Sequence, residues 1–194
     1  TQVALRAQAF EMRTIAYDPF VSADYAKNYK VMLVPLEELL KESDFITLHI
    51  PLSPATKNLI GAEQLALMKP GARIVNCARG GVVDEEAVAA AIKEGRLAGA
   101  AFDVFSSEPP APDNVLLTTP ATLLTPHLGA STVEAQTNVA IDIAEQVLAV
   151  LDGRSSRYAV NAPRISAEIL PYLSLAQVVA SFACQLMEGQ IEKV

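Results

Sequence analysis

Short apolar segments alternate with helical segments along this 194-residue chain, and the alternation limits its fold more than any other feature. Strand, helix and strand in repetition are typical of an α/β fold with a mostly parallel sheet. Two of the strands, Phe45–Ile50 and Ala98–Phe102, are largely apolar without strict alternation, so we expect both sheet faces to be covered there. The full set of candidate strands is Arg13–Tyr17, Lys30–Val34, Phe45–Ile50, Arg73–Cys77, Ala98–Phe102 and Thr122–Leu124. The sequence therefore predicts a doubly wound, mostly parallel sheet.

Helical segments lie between these strands. The predicted helices are Leu36–Lys41, Ala62–Met68 and Asp84–Glu94. Asp84 and Gly95 stand where N-cap and C′ residues are preferred. A longer helix follows His127, with Ser131 and Glu134 as a capping box and Gly153 as its end. One face of it is apolar: Ala140, Ile143, Ala144, Val147, Leu148 and Leu151.

A polar, proline-containing connector follows that helix, so we predict a domain boundary between about Asp152 and Ser166. The stretch Ile169–Met187 carries no charge and approaches the length of a membrane span. Polar side chains nevertheless recur along it at helical spacing, and lipid cannot satisfy such a stripe. We therefore expect an amphipathic helix of a soluble domain.

Composition excludes several functions. The net charge of −7 disfavours binding to nucleic acid or to an anionic membrane, so an anionic small molecule would have to bind at a local cation such as Arg79. Cys77 and Cys184 lie far apart without metal or redox spacing, which favours a reduced cytoplasmic setting, and we expect no metal site. Thr1–Phe10 does not resemble a signal peptide.

Arg79 follows an apolar strand and precedes two glycines, in the run Asn76–Gly81. Such a turn lets the backbone approach a ligand while a guanidinium points into the same cleft. Arg79 could clamp a substrate carboxylate, or it could be a surface arginine of an ordinary turn. Cys77 is better explained as a packed strand-end residue than as a nucleophile.

Glu108 and His127 form a candidate acid–base pair. A carboxylate that is hydrogen-bonded to an imidazole fixes its tautomer, and histidine transfers protons near neutral pH. His127 stands in a loop after Pro126, where chemistry is often found, although it could be a structural loop residue. The second histidine, His49, lies between apolar strand residues and is interpreted as structural.

Two aspartates end strands. Asp18 precedes Pro19 and could bind the ribose hydroxyls of a dinucleotide, although the local pattern also suits a turn. Asp103 could accept a hydrogen bond from a carboxamide or cap a turn.

Three motifs in this order resemble the D-isomer-specific 2-hydroxyacid dehydrogenases. They are NCARGGVVDE at Asn76–Glu85, AFDVFSSEPP at Ala101–Pro110 and PHLGAST at Pro126–Thr132. Within that family, their spelling is most similar to the members that act on D-3-phosphoglycerate. The resemblance extends from Thr1 to about Pro163, where Tyr158–Pro163 is similar to the family's return to its substrate domain.

The resemblance implies a role for each site residue. Arg79 would bind the substrate carboxylate, His127 would transfer the proton and Glu108 would orient His127, while hydride passes between C2 of the substrate and NAD. Asp18 would hold the adenosine ribose, and Asp103 the nicotinamide amide. The remaining cofactor contacts would come from the backbone of Ile50, Cys77, Ala78, Arg79, His127, Leu128, Gly129 and Ala130.

The resemblance also implies a domain organisation. Residues 1–151 would be a Rossmann-like NAD-binding domain lacking its first strand and glycine-rich loop, 152–165 a connector, and 166–194 the first helix of a further domain. A chain without the pyrophosphate loop is expected to bind NAD weakly, if at all, by itself. The implied partners are a small anionic 2-hydroxy or 2-oxo acid and a second copy in a homodimer. A glyoxylate or hydroxypyruvate reductase, or a non-catalytic NAD-sensing protein, remains an alternative.

Overall fold

The computed structural model describes residues 1–129, 131–154, 156, 158 and 169–186. The chain packs as two compact units, Thr1–Thr132 and Val133–Val194. The domain limits expected at 151 and 165 stay a prediction, because most of the connector and all but the helical part of the last segment lie outside the described residues.

The first unit alternates helices and strands as predicted. Its helices are α1 (Gln2–Ala9), α2 (Ala23–Lys27), α3 (Leu36–Glu42), α4 (Ala62–Leu67), α5 (Glu85–Lys93) and α6 (Val115–Thr118). Its strands are β1 (Ile15–Ala16), β2 (Met32–Leu33), β3 (Phe45–Leu48), β4 (Ala72–Asn76), β5 (Leu97–Phe102) and β6 (Thr122–Leu124). The Asp84 side chain caps α5 by accepting from the Ala87 backbone N–H, and Gly95 follows with a φ of +73°. Both termini of α5 therefore match their sequence signals.

The strands form two parallel sheets. One has the order β3-β4-β5-β6, and the other pairs β1 with β2. In the larger sheet Leu48 pairs with Asn76, Asn76 with Phe102, and Phe102 with Leu124. These four residues end their strands, so the segments after β3, β4, β5 and β6 leave the same edge of the sheet. That edge is where open α/β sheets bind their ligands.

The core lies between the larger sheet and its helices. Ile74 and Val88 are fully buried, and Phe102 is 2% exposed. Burial of such side chains is the main stabilising contribution to this unit. It also holds the carboxyl ends of β4 and β5 in fixed positions.

The expectation that both faces of β3 are covered was wrong. Burial alternates along β3, with Ile46 and Leu48 buried and Phe45 exposed. The Arg73 guanidinium of the neighbouring strand lies 5.5 Å from the centroid of the Phe45 ring. A cation–π contact therefore covers part of a face on which we expected helix packing. β5 is largely buried on both faces, as expected.

The second unit contains α7 (Val133–Leu151), a 3₁₀ turn (Leu170–Tyr172) and α8 (Leu173–Leu186). Helix α7 begins at Val133, one residue after the start that a cap at Ser131 predicts, and the capping box itself stays a prediction. At the other end, the N–H groups of Gly153 and Arg154 donate to Val150 and Ala149 carbonyls, a Schellman motif. The predicted apolar face of α7 is exposed: Ile143, Val147, Leu148 and Leu151 are each more than half exposed.

Helix α8 lies within the uncharged stretch Ile169–Met187, as the polar stripe predicted. Within the described part of the chain, no helix is long and apolar enough to span a membrane.

Candidate functional site

The carboxyl edge of the larger sheet brings together most of the predicted site residues. Arg79 follows β4, Asp103 follows β5, and His127 follows β6. The three strands are consecutive in the sheet and parallel, so the loops that follow them leave the same edge, although Arg79 and Asp103 are 24 positions apart in the sequence and His127 is 24 positions further on. Asp18 follows β1, in the other sheet.

Glu108 and His127 are hydrogen-bonded. Nδ1 of His127 lies 2.6 Å from Oε2 of Glu108, and the other carboxylate oxygen of Glu108 accepts from the Phe105 backbone N–H at 3.0 Å. The hydrogen bond with His127, and then the one from Phe105, holds the pKa of Glu108 below its usual value. An ionised Glu108 accepts from Nδ1–H, and this leaves Nε2 as the nitrogen of the neutral ring that can accept a proton.

His127 stands in a left-handed conformation, with a φ of +55°. This region is uncommon for residues other than glycine, although histidine visits it more often than most. The imidazole is 42% exposed, so it has access to a ligand while it is held by Glu108. The conformation is held by the loop around it.

Asp103 fixes that loop. Its Oδ1 accepts from the Thr125 hydroxyl at 2.5 Å and from the Leu128 N–H at 2.8 Å, and its Oδ2 accepts from the Gly129 N–H at 3.0 Å. Burial raises the pKa of the Asp103 carboxyl, but these three hydrogen bonds and the charge of His127 together outweigh it, so the pKa lies below its usual value. The backbone on both sides of His127 is thus tied to the end of β5.

Asn76 fixes the loop that carries Arg79. Asn76 is buried, and its side chain accepts from the Ala78 N–H at 3.1 Å and donates to the Arg79 carbonyl at 3.1 Å. The Arg79 guanidinium donates from Nη1 to the Ala78 carbonyl at 2.7 Å, and the residue is exposed. Asn76 received no role from the sequence, although an asparagine that ends a strand before a tight turn is a known signal for this bonding.

The remaining predicted residues differ in their positions. Ile50 is half-buried just after β3, while Leu128 and Gly129 are exposed beside His127. Asp18 is exposed, and its Oδ1 accepts from the Phe20 N–H at 2.9 Å, so the turn suggested by its sequence does form. Ala130 lies outside the described residues.

Cys77 and His49 have other environments. Cys77 is exposed, so its interpretation as a packed residue was wrong. Partial burial first, and the charge of Asp103 second, raises the pKa of its thiol, which disfavours the reactive thiolate. Nε2 of His49 lies 3.0 Å from the Thr47 hydroxyl, and burial lowers its pKa. Among the residues with described positions, no three His, Cys, Asp or Glu side chains are grouped so as to hold a metal ion.

Comparison with known proteins gives a family. The model of the "D-isomer specific 2-hydroxyacid dehydrogenase, NAD binding domain" matches residues 1–129. The D-3-phosphoglycerate dehydrogenases of Synechocystis sp. and Methanocaldococcus jannaschii are each 48% identical over the whole chain. The chain spans 36% and 38% of their lengths, respectively.

Solved structures agree with this result. The D-lactate dehydrogenase of Aquifex aeolicus, complexed with NAD and lactic acid, matches with a TM-score of 0.67 and 32% identity over 78% of this chain and 50% of that one. The TM-score shows that the two chains share a fold over this length. The chain belongs to the D-isomer-specific 2-hydroxyacid dehydrogenase family and carries its NAD-binding domain.

Proposed function

We propose that the whole protein oxidises D-3-phosphoglycerate to 3-phosphohydroxypyruvate with NAD, the first step of L-serine biosynthesis. The names of relatives that are 48% identical support the substrate. The observation that carries the chemistry is the 2.6 Å hydrogen bond between Glu108 and His127 at the edge that also bears Arg79. A protein that only senses NAD has no use for an oriented proton acceptor.

The described residues suit NAD. Leu128 and Gly129 are exposed residues at the carboxyl edge of the sheet, and the exposed acid Asp18 follows β1, where an acid would bind ribose hydroxyls. Asp103 already accepts three hydrogen bonds, so a nicotinamide amide would use the remaining acceptor capacity of its carboxylate. When bound, NAD accepts the hydride from C2 of the substrate.

Arg79 and His127 act on different groups of the substrate. The Arg79 guanidinium binds the carboxylate, which places C2 and its hydroxyl beside His127. Nε2 of His127 takes the hydroxyl proton as the hydride leaves C2, so the alcohol becomes a ketone. Glu108 stabilises the imidazolium that forms. In the reverse direction, the same imidazolium returns the proton to the carbonyl oxygen.

A second candidate follows from what these residues recognise. Arg79 and His127 act on the carboxylate and hydroxyl that all 2-hydroxy acids share, and the Aquifex aeolicus relative is a D-lactate dehydrogenase. The protein would then reduce or oxidise another small acid, such as glyoxylate, hydroxypyruvate or lactate. Substrate choice depends on groups that contact the rest of the substrate.

Steady-state kinetics on the whole protein separate these functions. We expect kcat/KM for D-3-phosphoglycerate to exceed that for D-lactate, and that for 3-phosphohydroxypyruvate to exceed that for glyoxylate. The reverse order would support the second candidate. NAD binding without turnover of any of these acids would instead favour a sensor.

His127→Gln tests the proton acceptor. The amide keeps a polar side chain of similar size but cannot take a proton, so kcat should fall by about 100-fold or more. Thr47→Ser, which keeps a hydroxyl beside the other histidine, is the control and should retain activity. Turnover within a few-fold of the parent protein in His127→Gln would contradict the assigned role.

We further propose a cytoplasmic homodimer. The dimer is an expectation from the resemblance to the family, and the free thiols of Cys77 and Cys184 suit a reducing compartment.

A further inference from the structure

Glu85 connects α5 to the loop that carries Glu108. Its Oε1 accepts from both the backbone N–H and the hydroxyl of Ser106, each at 2.7 Å. Its Oε2 accepts from the Asn114 side-chain amide at 2.7 Å. One carboxylate at the first position of α5 therefore holds two points of the segment between β5 and α6.

Each of the two residues that Glu85 contacts belongs to a local structure: Asn114 to the cap of α6 and Ser106 to the turn Phe105–Glu108. Oδ1 of Asn114 accepts from the Leu116 N–H at 3.0 Å and caps α6. Ser106 follows Phe105, whose N–H donates to Glu108 at 3.0 Å. Glu85 thus fixes the turn Phe105–Glu108 at one end and the start of α6 at the other.

The same turn packs directly against the loop of Arg79. A Cβ built at Gly80 would lie 1.7 Å from the Phe105 carbonyl oxygen, so the two backbones are in contact. Gly80 separates Arg79 from the residues that lead to Glu85. The position of the Phe105–Glu108 turn is therefore set from two sides, by the Gly80 contact and by the Glu85 carboxylate.

We infer that Glu85 is a positioning residue for the proton relay. Through its hydrogen bonds with Ser106 and Asn114, it holds the Phe105–Glu108 turn in the position from which Glu108 reaches His127. The inference rests on the proposed roles of Glu108 and His127. The described hydrogen bonds of Glu85 go to Ser106 and Asn114 and not to the imidazole, so it acts through Glu108. A displacement of about 1 Å at a reacting group can cost on the order of 100-fold in rate.

Graded substitution in the whole protein tests this role. Glu85→Ala removes all three hydrogen bonds and should lower kcat by about 10-fold to 100-fold. Glu85→Gln can still accept from Ser106 and should lie between Glu85→Ala and the parent. The KM for the acid should change less than about twofold, because Arg79 binds it. Glu86→Ala, at the next and exposed position of α5, is the matched control and should retain kcat.

A double substitution separates positioning from general destabilisation. If Glu85 acts through Glu108, Glu85→Ala combined with Glu108→Gln should lose no more kcat than Glu108→Gln alone, since residues of one network are not additive. In a plot of kcat against pH, the acidic limb should also move in the same direction in Glu85→Ala and in Glu108→Gln. Multiplicative losses would overturn the inference.

The result also distinguishes the inference from the function on which it rests. Normal kcat in Glu85→Ala with a large loss in Glu108→Gln would overturn the positioning role alone. Normal kcat in both would overturn the relay itself. Thermal unfolding of each variant, with Glu85→Gln as the milder change, shows whether a loss of kcat accompanies a loss of fold.

Discussion

At the scale of single residues, the site depends on carboxylates that differ in what surrounds them. Asp103 is buried and accepts three hydrogen bonds, which commit it to holding a loop. Glu108 is 37% exposed and shares its oxygens between a backbone N–H and an imidazole. The main part of the first carboxylate's hydrogen bonding holds a loop, whereas the second responds to the charge on His127.

The lowered pKa of Glu108 predicts how stability depends on pH. A carboxyl whose folded pKa is below its unfolded value stabilises the fold above the unfolded pKa, here 4.5, and this stabilisation disappears as the pH falls through the folded pKa. The free energies of unfolding of the parent and of Glu108→Gln should therefore differ most near neutral pH and converge below pH 4.5. Denaturant titrations across this range measure the difference. A difference that does not change with pH would contradict the assigned hydrogen bonds.

The sequence predicted Arg79, Glu108 and His127 because each lies shortly beyond an apolar strand. The roles of Asp103 and Glu85 in holding loops were not predictable in the same way. Asp103 binds residues 22 to 26 positions away, and Glu85 binds residues 21 and 29 positions away. Such contacts depend on which loops the sheet places side by side, and no local pattern encodes that.

At the scale of elements, the sequence predicted most of the strands and helices, but it was less successful at predicting which of their faces are buried. The predicted limits of β6 agree with the structure, and those of α3, α4 and α5 agree within one residue. The alternating burial of β3 was not expected, because an apolar composition does not show which face a neighbouring helix covers. The first residue of α7 was not fixed by the sequence, because Ser131 and Thr132 are both residues that N-cap positions favour.

The contact between the loops of Gly80 and Phe105 predicts that a larger residue at position 80 destabilises the fold. A methyl group there would lie 1.7 Å from the Phe105 carbonyl oxygen, which is backbone and cannot rotate away. We expect Gly80→Ala to lower the free energy of unfolding by about 1–3 kcal/mol, as overpacking does. Gly61→Ala, where the nearest atoms lie 3.6 Å away, should stay within about 1 kcal/mol of the parent. Urea unfolding compares the two, and equal stabilities would show that the loops are not in close contact.

At the scale of the molecule, two sheets and two units are combined in one chain. The larger sheet carries Arg79, Asp103 and His127, while Asp18 belongs to the smaller one. The distribution agrees with a dinucleotide site that needs several strand ends. It also explains why the family was recognisable from motifs spread over more than 50 residues, since each motif begins near the end of a strand in one sheet.

The proposed homodimer predicts the molecular mass of the protein in solution. Light scattering from the whole protein should give twice the mass of one chain, and the value should not depend on reducing agent, because the proposed dimer contains no intermolecular disulfide. A monomer at micromolar concentration would contradict the dimer. It would leave the fold and the relay unaffected.

The distance between the side chains of Glu108 and His127 depends on the pairing of β6 with β5. β6 has three residues at one end of the larger sheet, and its pairing with β5 brings the loop of His127 beside the segment of Glu108. Short terminal strands open at lower free energy than a core. The amide of Thr125, which donates to the Phe102 carbonyl, should therefore exchange with solvent faster than that of Ile74. Heating would then separate acid from base while most of the sheet remains folded, so loss of turnover would precede unfolding.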